Sequence, residues 1–134
     1  MVITRETDYA LRILRALTDG ELHTARQIAQ DELLPRAFTY KILKKLEQAG
    51  LIEVVRGTAG GCRLSVELAD TSLYDLMMAT GERSNLASCM DSQFQCQWRD
   101  CHGECAVHHN LMKIQEKLDQ ELRMHNLKEI LAGH

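Results

Sequence analysis

The sequence predicts a mainly helical domain with one two-stranded hairpin, on three observations. Aromatic residues are only 4% of the 134 residues while Leu, Ala, Lys, Glu, Gln and Met recur, which favours helices over a β-sandwich. Apolar side chains repeat every three or four residues in several segments, the spacing of one helix face. The β-branched run Leu51-Ile52-Glu53-Val54-Val55 is followed by the glycine-rich Arg56-Gly57-Thr58-Ala59-Gly60-Gly61 and then Cys62-Arg63-Leu64-Ser65-Val66, the pattern of a hairpin. With 45% apolar and 26% charged residues and a single Pro, the composition is that of a folded chain with room for one modest core.

Each element has its own signal. In the segment 7–18, Tyr9, Ala10, Ile13, Leu14 and Leu17 share a face, and Asp19-Gly20 stops the helix. Thr24-Ala25-Arg26-Gln27 reads as a capping box opening a short second helix over 24–30. Pro35 suits the start of a third helix, with Phe38, Ile42, Leu43, Leu46 and Ala49 on one face and Gly50 placed to end it in the left-handed conformation. After the hairpin, Ser72-Leu73-Tyr74-Asp75 caps a fourth helix running to about Thr80, with Gly81 as its stop. Periodicity then disappears until Cys105, where a long helix resumes with Leu111, Ile114, Leu118 and Leu122 as a narrow apolar stripe. A second copy of that helix in a two-fold dimer would bury the stripe and would set two reading helices about 34 Å apart.

Three helices followed by a hairpin is the plan of a winged helix-turn-helix with a two-stranded wing, a cysteine loop and a long dimerisation helix completing the chain. The boundaries expected are a DNA-binding domain at 1–81, a cysteine-rich loop at 82–105, read below as cluster-binding on its thiols, and a dimerisation helix with C-terminal tail at 106–134. Charge follows the same division. Residues 1–66 carry 10 bases against 8 acids, and residues 67–134 carry 6 against 11. Between 35 and 63 stand six bases (Arg36, Lys41, Lys44, Lys45, Arg56, Arg63) and two acids (Glu47, Glu53), a local excess of four positive charges suited to a polyanion. No stretch approaches the roughly 18 apolar residues of a membrane span, and the opening residues lack an apolar signal region, so a cytoplasmic protein away from membranes is expected.

In a reducing compartment, five cysteines point to metal or redox chemistry before disulfides. Cys89, Cys96, Cys101 and Cys105, followed by His108 and His109, lie in a stretch with too few apolar side chains to bury a core of its own, so a bound group is a candidate for ordering it. Thiolates with imidazole hold iron-sulfur clusters and zinc alike; the absence of closely paired Cys-x2-Cys knuckles tilts the reading toward a cluster, with zinc, a redox-sensing thiol or inert thiols left open. Cys62, alone in the hairpin, reads as a small packed hydrophobe.

Several segments resemble the winged-helix iron-sulfur transcription regulators of the IscR and NsrR (Rrf-two) type. They are Ile3-Thr4-Arg5-Glu6-Thr7-Asp8-Tyr9-Ala10-Leu11-Arg12, Leu34-Pro35-Arg36-Ala37-Phe38 through Lys41-Ile42-Leu43-Lys44-Lys45-Leu46, Ala49-Gly50-Leu51-Ile52, and Val55-Arg56-Gly57 with Gly60-Gly61 before Arg63-Leu64. Cys105-Ala106-Val107-His108 and Leu127-Lys128-Glu129-Ile130 complete the set, which spans nearly the whole chain. The resemblance implies a homodimer that reads a palindromic operator in double-stranded DNA with the third helix and wing, and that holds a 2Fe-2S or 4Fe-4S cluster on three loop cysteines. Cys89, Cys96 and Cys105 match those ligands. Cys101 is an additional thiol, and the spacing departs from the roughly five residues common between ligands in the family. For the fourth ligand, the resemblance offers His108, three residues after the last Cys, or an acidic side chain near the N-terminus, Asp8 of the partner subunit.

On the reading head, Arg36, Thr39, Tyr40 and Lys44 are expected on the outward face of the third helix or at its exposed start, within reach of phosphates and base edges. Arg56 sits where the family's wing arginine enters the minor groove, with Thr58 and Arg63 nearby. The expected function is a DNA-binding transcriptional regulator whose operator affinity is set by an iron-sulfur cluster sensing redox state, nitric oxide or iron-sulfur status. The alternatives are a clusterless thiol-redox or zinc-containing regulator of the same fold, or an interaction module that does not bind DNA. An enzyme using Cys101 and His102 is disfavoured, because adjacent residues rarely aim both side chains at one substrate and no substrate pocket is suggested.

Overall fold

A computed structural model describes residues 3–83 and 85–133. In chain order the elements are α1 (Arg5–Ala16), α2 (Ala25–Asp31), α3 (Arg36–Gln48), β1 (Ile52–Val55), β2 (Gly61–Leu64), α4 (Leu73–Ala79), α5 (Gln97–His102), α6 (Ala106–Met124) and α7 (Leu127–Leu131). Short 3-10 turns lie at Leu68–Asp70 and Ser88–Met90. The fold is a mainly helical winged helix-turn-helix: α1, α2 and α3 pack on one another, and the antiparallel pair β1-β2 follows α3 as the wing.

Local chemistry explains the ends of these elements. Gly50, at φ +76, lets the amides of Gly50 and Leu51 return to the carbonyls of Glu47 and Leu46, which satisfies the last turn of α3. The amides of Gly81 and Glu82 do the same for α4 by returning to Met78 and Met77. Ser72 and Asp75 form the reciprocal capping box of α4. On α2 only half of the expected box exists. The Thr24 hydroxyl accepts from the Gln27 amide, but the Gln27 side chain donates to Asp31, its neighbour one turn on.

The core is built from the inward faces of α1 and α3. Ile13, Leu14, Leu17, Ile28, Ile42, Leu46, Leu76 and Leu127 are all fully buried, each contributing about 1.5–3 kcal/mol on transfer from water. The buried face of α3 is Thr39, Ile42, Leu43 and Leu46, which corrects the expected set at both ends. Phe38 is 41% exposed, with its ring edge-on to Tyr9 at 6.0 Å, and Ala49 is exposed. Thr39 takes the inward place because its hydroxyl donates to the Pro35 carbonyl, leaving its methyl free for the core.

The wing pairs Ile52 with Leu64, Glu53 with Arg63, Val54 with Cys62 and Val55 with Gly61. His23 adds a bridge on the other side of β2, exchanging amide and carbonyl bonds of 3.0 and 2.8 Å with Cys62. This close approach requires glycine beside it: a Cβ at Gly61 would lie 2.7 Å from the His23 carbonyl oxygen.

The long C-terminal helix is interrupted. It ends at Met124, and Asn126 caps a separate α7 by accepting from the Glu129 amide. Leu73 donates to the His125 carbonyl and Leu127 to the Thr71 carbonyl, so the break is stitched to the start of α4 and drops Leu127 into the core. The region expected to be irregular contains α5. Between Gly81 and Ile114 no described residue is buried.

Candidate nucleic-acid interface and cysteine loop

The outward surface of α3 follows from its buried face. With Thr39, Ile42, Leu43 and Leu46 inside, the opposite arc at 100° per residue presents Ala37, Tyr40, Lys41, Lys44 and Gln48. Tyr40 and Lys44 join Arg56 on the walls of one groove of about 490 Å³ between α3 and the wing, with Thr24, Glu47 and Gly57. Arg36 is exposed at the first turn of α3, and Thr58 is exposed at the wing tip. Among the described residues Arg36, Lys44 and Arg56 take part in no ion pair, so their charge is available to an external anion.

Two expectations for this face change. Thr39 is 1% exposed and faces the core, so it supports α3 from inside. Arg63 lies directly across the wing from Glu53 and is paired with it, beside the groove. Lys41 was absent from the sequence-derived contact set although it lies near the centre of the outward arc. The signal that could have found it is the wheel angle opposite Ile42 and Leu46. Lys41 and Lys45 both donate to Glu6 of α1, and Lys45 also donates to the Thr80 carbonyl at 2.9 Å. These two ammonium groups, Lys41 first, hold the Glu6 carboxyl below the usual carboxylate range.

The cysteines separate into three environments. Cys62 is buried under the wing and donates to the His23 carbonyl, and desolvation pushes its thiol pKa up, as expected for a packed residue. Cys96 stands at the N-terminus of α5, where Cys101 is exposed on the helix itself. Cys89 and Cys105 meet at His108. The ring Nδ1 of His108 lies 3.4 Å from Cys89 Sγ, and its amide donates to Cys105 Sγ, which caps α6 at 3.5 Å. Because it is the backbone of His108 that reaches Cys105, the side chains do not share one centre, and no group of three His, Cys, Asp or Glu placed to hold a metal occurs among the described residues. Asp8 forms its ion pair with Arg12 of the same helix at 3.2 Å.

The loop is tied to α6 by a residue that the sequence reading passed over. Gln115 is 4% exposed, and its side-chain oxygen accepts from the Leu86 amide at 2.7 Å while its nitrogen donates to Asp119. Along α6, Leu111 and Leu118 are half-buried and Ile114 is 54% exposed. Leu122 departs from the expected seam: at 9% exposure it is covered within its own chain, where α6 packs on α4.

A family model described as "Iron-dependent Transcriptional regulator", the Rrf2 family, matches residues 3–133. This chain belongs to the Rrf2 family. The HTH-type transcriptional regulator NsrR of Bacillus subtilis (strain 168) is 33% identical over 95 residues, covering 69% of this chain and 65% of NsrR, so the match spans just under two thirds of that relative. Protein aau3 of Rhizobium meliloti (strain 1021) is 28% identical over 99% of this chain and 86% of its own length. Among solved structures, CymR of B. subtilis, described as the global cysteine regulator, superimposes with a TM-score of 0.74 at 19% identity, covering 97% of this chain and 95% of CymR. IscR of T. potens gives 0.67 at 18%, covering 96% and 85%. These structural likenesses establish the Rrf2 fold, winged helix-turn-helix included. Rrf2 proteins are transcriptional regulators rather than enzymes, and no described helix of this member is long and apolar enough to cross a membrane.

Proposed function

We propose that this protein is a cytoplasmic, homodimeric DNA-binding regulator whose affinity for a palindromic operator is controlled by an iron-sulfur cluster held in the 82–105 loop and the start of α6. The observation that carries the reading is that His108 touches both Cys89, through its ring, and Cys105, through its amide, so that the loop thiol and the start of α6 lie side by side although their side chains do not converge on one centre. That donor chemistry fits a cluster. Cys89, Cys105 and His108 would hold it, with Cys96, Cys101 and Asp8 of the partner subunit as the remaining candidate ligands. When bound, such a group supplies a redox-active centre that oxygen or nitric oxide can modify.

The chain's own residues do the rest. Tyr40, Lys44 and Arg56 offer a donor-rich groove between α3 and the wing, Arg36 and Thr58 flank it, and Arg63 lies beside it. In this division 1–81 reads DNA, the loop carries the sensor, and 106–134 contributes the dimer surface through Leu111, Ile114 and Leu118. The match to a family described as iron-dependent supports the same reading.

The test is anaerobic purification followed by visible absorption, iron and sulfide counts, and mobility-shift titration of the protein's own promoter DNA before and after iron is stripped. Bound iron with acid-labile sulfide, together with an altered affinity on stripping, is the expected result. Colourless protein containing zinc or no metal, or an affinity indifferent to stripping, would overturn cluster control and leave the clusterless regulator.

A further inference from the structure

The bases of the reading head fall into two groups. Arg36, Lys44 and Arg56 have no ion pair among the described residues, whereas Arg63 is paired with Glu53, and Lys41 and Lys45 are both bound by the single carboxylate of Glu6. Lys41 donates to Oε1 at 2.6 Å, and Lys45 donates to Oε2 and to the Thr80 carbonyl. Glu6 is set in place from behind. It lies in the first turn of α1, where Thr7 shares a 3.1 Å hydrogen bond with the buried hydroxyl of Thr80 and Thr4 donates to Glu82 at 2.5 Å. Its side chain is 22% exposed, so water screens the clasp only in part.

A lysine near the centre of the outward arc of a DNA-reading helix would ordinarily add a phosphate contact, with the counterion release and sequence-blind affinity that accompany it. Here an internal anion already occupies the ammonium. We propose that Glu6 is a specificity-determining residue: by clasping Lys41, with Lys45 anchoring the same carboxylate from behind, it withholds one outward-facing cation from the DNA backbone, lowers affinity for arbitrary duplex, and leaves reading to the unpaired Arg36, Lys44 and Arg56. The inference rests on the DNA-binding reading above, but not on a cluster.

The experiment measures equilibrium binding of the full-length wild type, Glu6→Gln, Lys41→Met and the double variant to a random-sequence duplex, across salt from about 50 to 200 mM. Measurable, salt-sensitive binding by the wild type establishes the DNA reading; none at any salt sinks that reading before the clasp is tested. Given wild-type binding, Glu6→Gln is expected to tighten the complex and to steepen the salt slope by about one unit, equivalent to about a fourfold greater loss of affinity over that range. Lys41→Met alone, at an exposed position, is expected to leave the slope close to wild type and to reverse much of the gain in the double variant. The proposal is overturned if Glu6→Gln leaves the slope unchanged or weakens binding. It is equally overturned if Lys41→Met by itself removes a full unit, since Lys41 would then already be contacting phosphate. Should Glu6→Gln fail to fold, Lys41→Met still overturns the proposal if it removes a full unit of slope.

Discussion

The reading head and the cysteine loop are held by different means. Residues 5–80 supply nearly all of the buried core, with α1, α2, α3 and the wing closed around Ile13, Leu14, Ile42 and Leu46. From 81 to 114 no described residue is buried, and Leu86, Phe94 and Trp98 stand 43%, 48% and 51% exposed. The loop is kept in place by point contacts, notably Gln115 to Leu86 and His108 to Cys89, while the stack of Trp98 on His102 is internal to α5. A segment ordered by burial keeps its shape whatever it binds, whereas one ordered by a few polar contacts can be reshaped by a ligand at small cost. The head is thus the part fixed by burial, and the loop the part whose shape a bound group would change most readily.

The sharpest way to break this comparison is to cut each region once. Leu46→Ala empties a site in the centre of the head and is expected to cost about 2–5 kcal/mol in urea denaturation, while Trp98→Ala in the loop changes the same measurement by less than about 0.5 kcal/mol. Equal losses would show that the loop belongs to the core's cooperative unit. Cys89→Ser sharpens it from the other side. It should abolish retention of iron, read by visible absorption, and leave the denaturation midpoint of the metal-free chain where it was.

Smaller effects probe the head's surface. Arg56→Ala should weaken operator binding and lower its salt slope by about one unit, and unchanged affinity would remove the wing from the interface. Ser72→Ala removes one half of the α4 capping box and should cost about 1 kcal/mol in thermal or urea unfolding. The smallest is a matter of pH. Because Lys41 and Lys45 hold the Glu6 carboxyl below its usual range in the folded chain, Glu6 adds stability that is fully present above that range and is lost as pH falls through the lowered value. Glu6→Gln should therefore flatten the acid limb of stability against pH, followed by circular dichroism; an identical acid limb would mean that the clasp contributes nothing to folding.

Much of the head was legible because its signals are local. The capping pair Ser72 and Asp75, Pro35 ahead of α3 and the glycines at 50 and 81 act within a few residues of themselves, so their spacing reveals them. Phe38 and Thr39 were misplaced for a physical reason: apolar periodicity has no means of seeing that a hydroxyl can satisfy itself on the Pro35 carbonyl and go inside while a phenyl ring packs outward on Tyr9. In the cysteine region the residue types were readable, but their meeting was not. Cys89 approaches His108, a residue well beyond it in the chain, only because Gln115 and α6 bring the loop back.

The sequence by itself determined α1 to α4, their ends and the wing, since each depends on interactions a few residues long, whereas α5 and the break after Met124 escaped it. Tertiary structure alone decided which charges are free, which leucines of α6 stay partly exposed, and which cysteines are neighbours. Glu6 and Lys45, Leu122 and its cover from α4, and Cys89 and His108 are all far apart along the chain, and such pairs exist only once burial of the shared core has fixed the helices against one another.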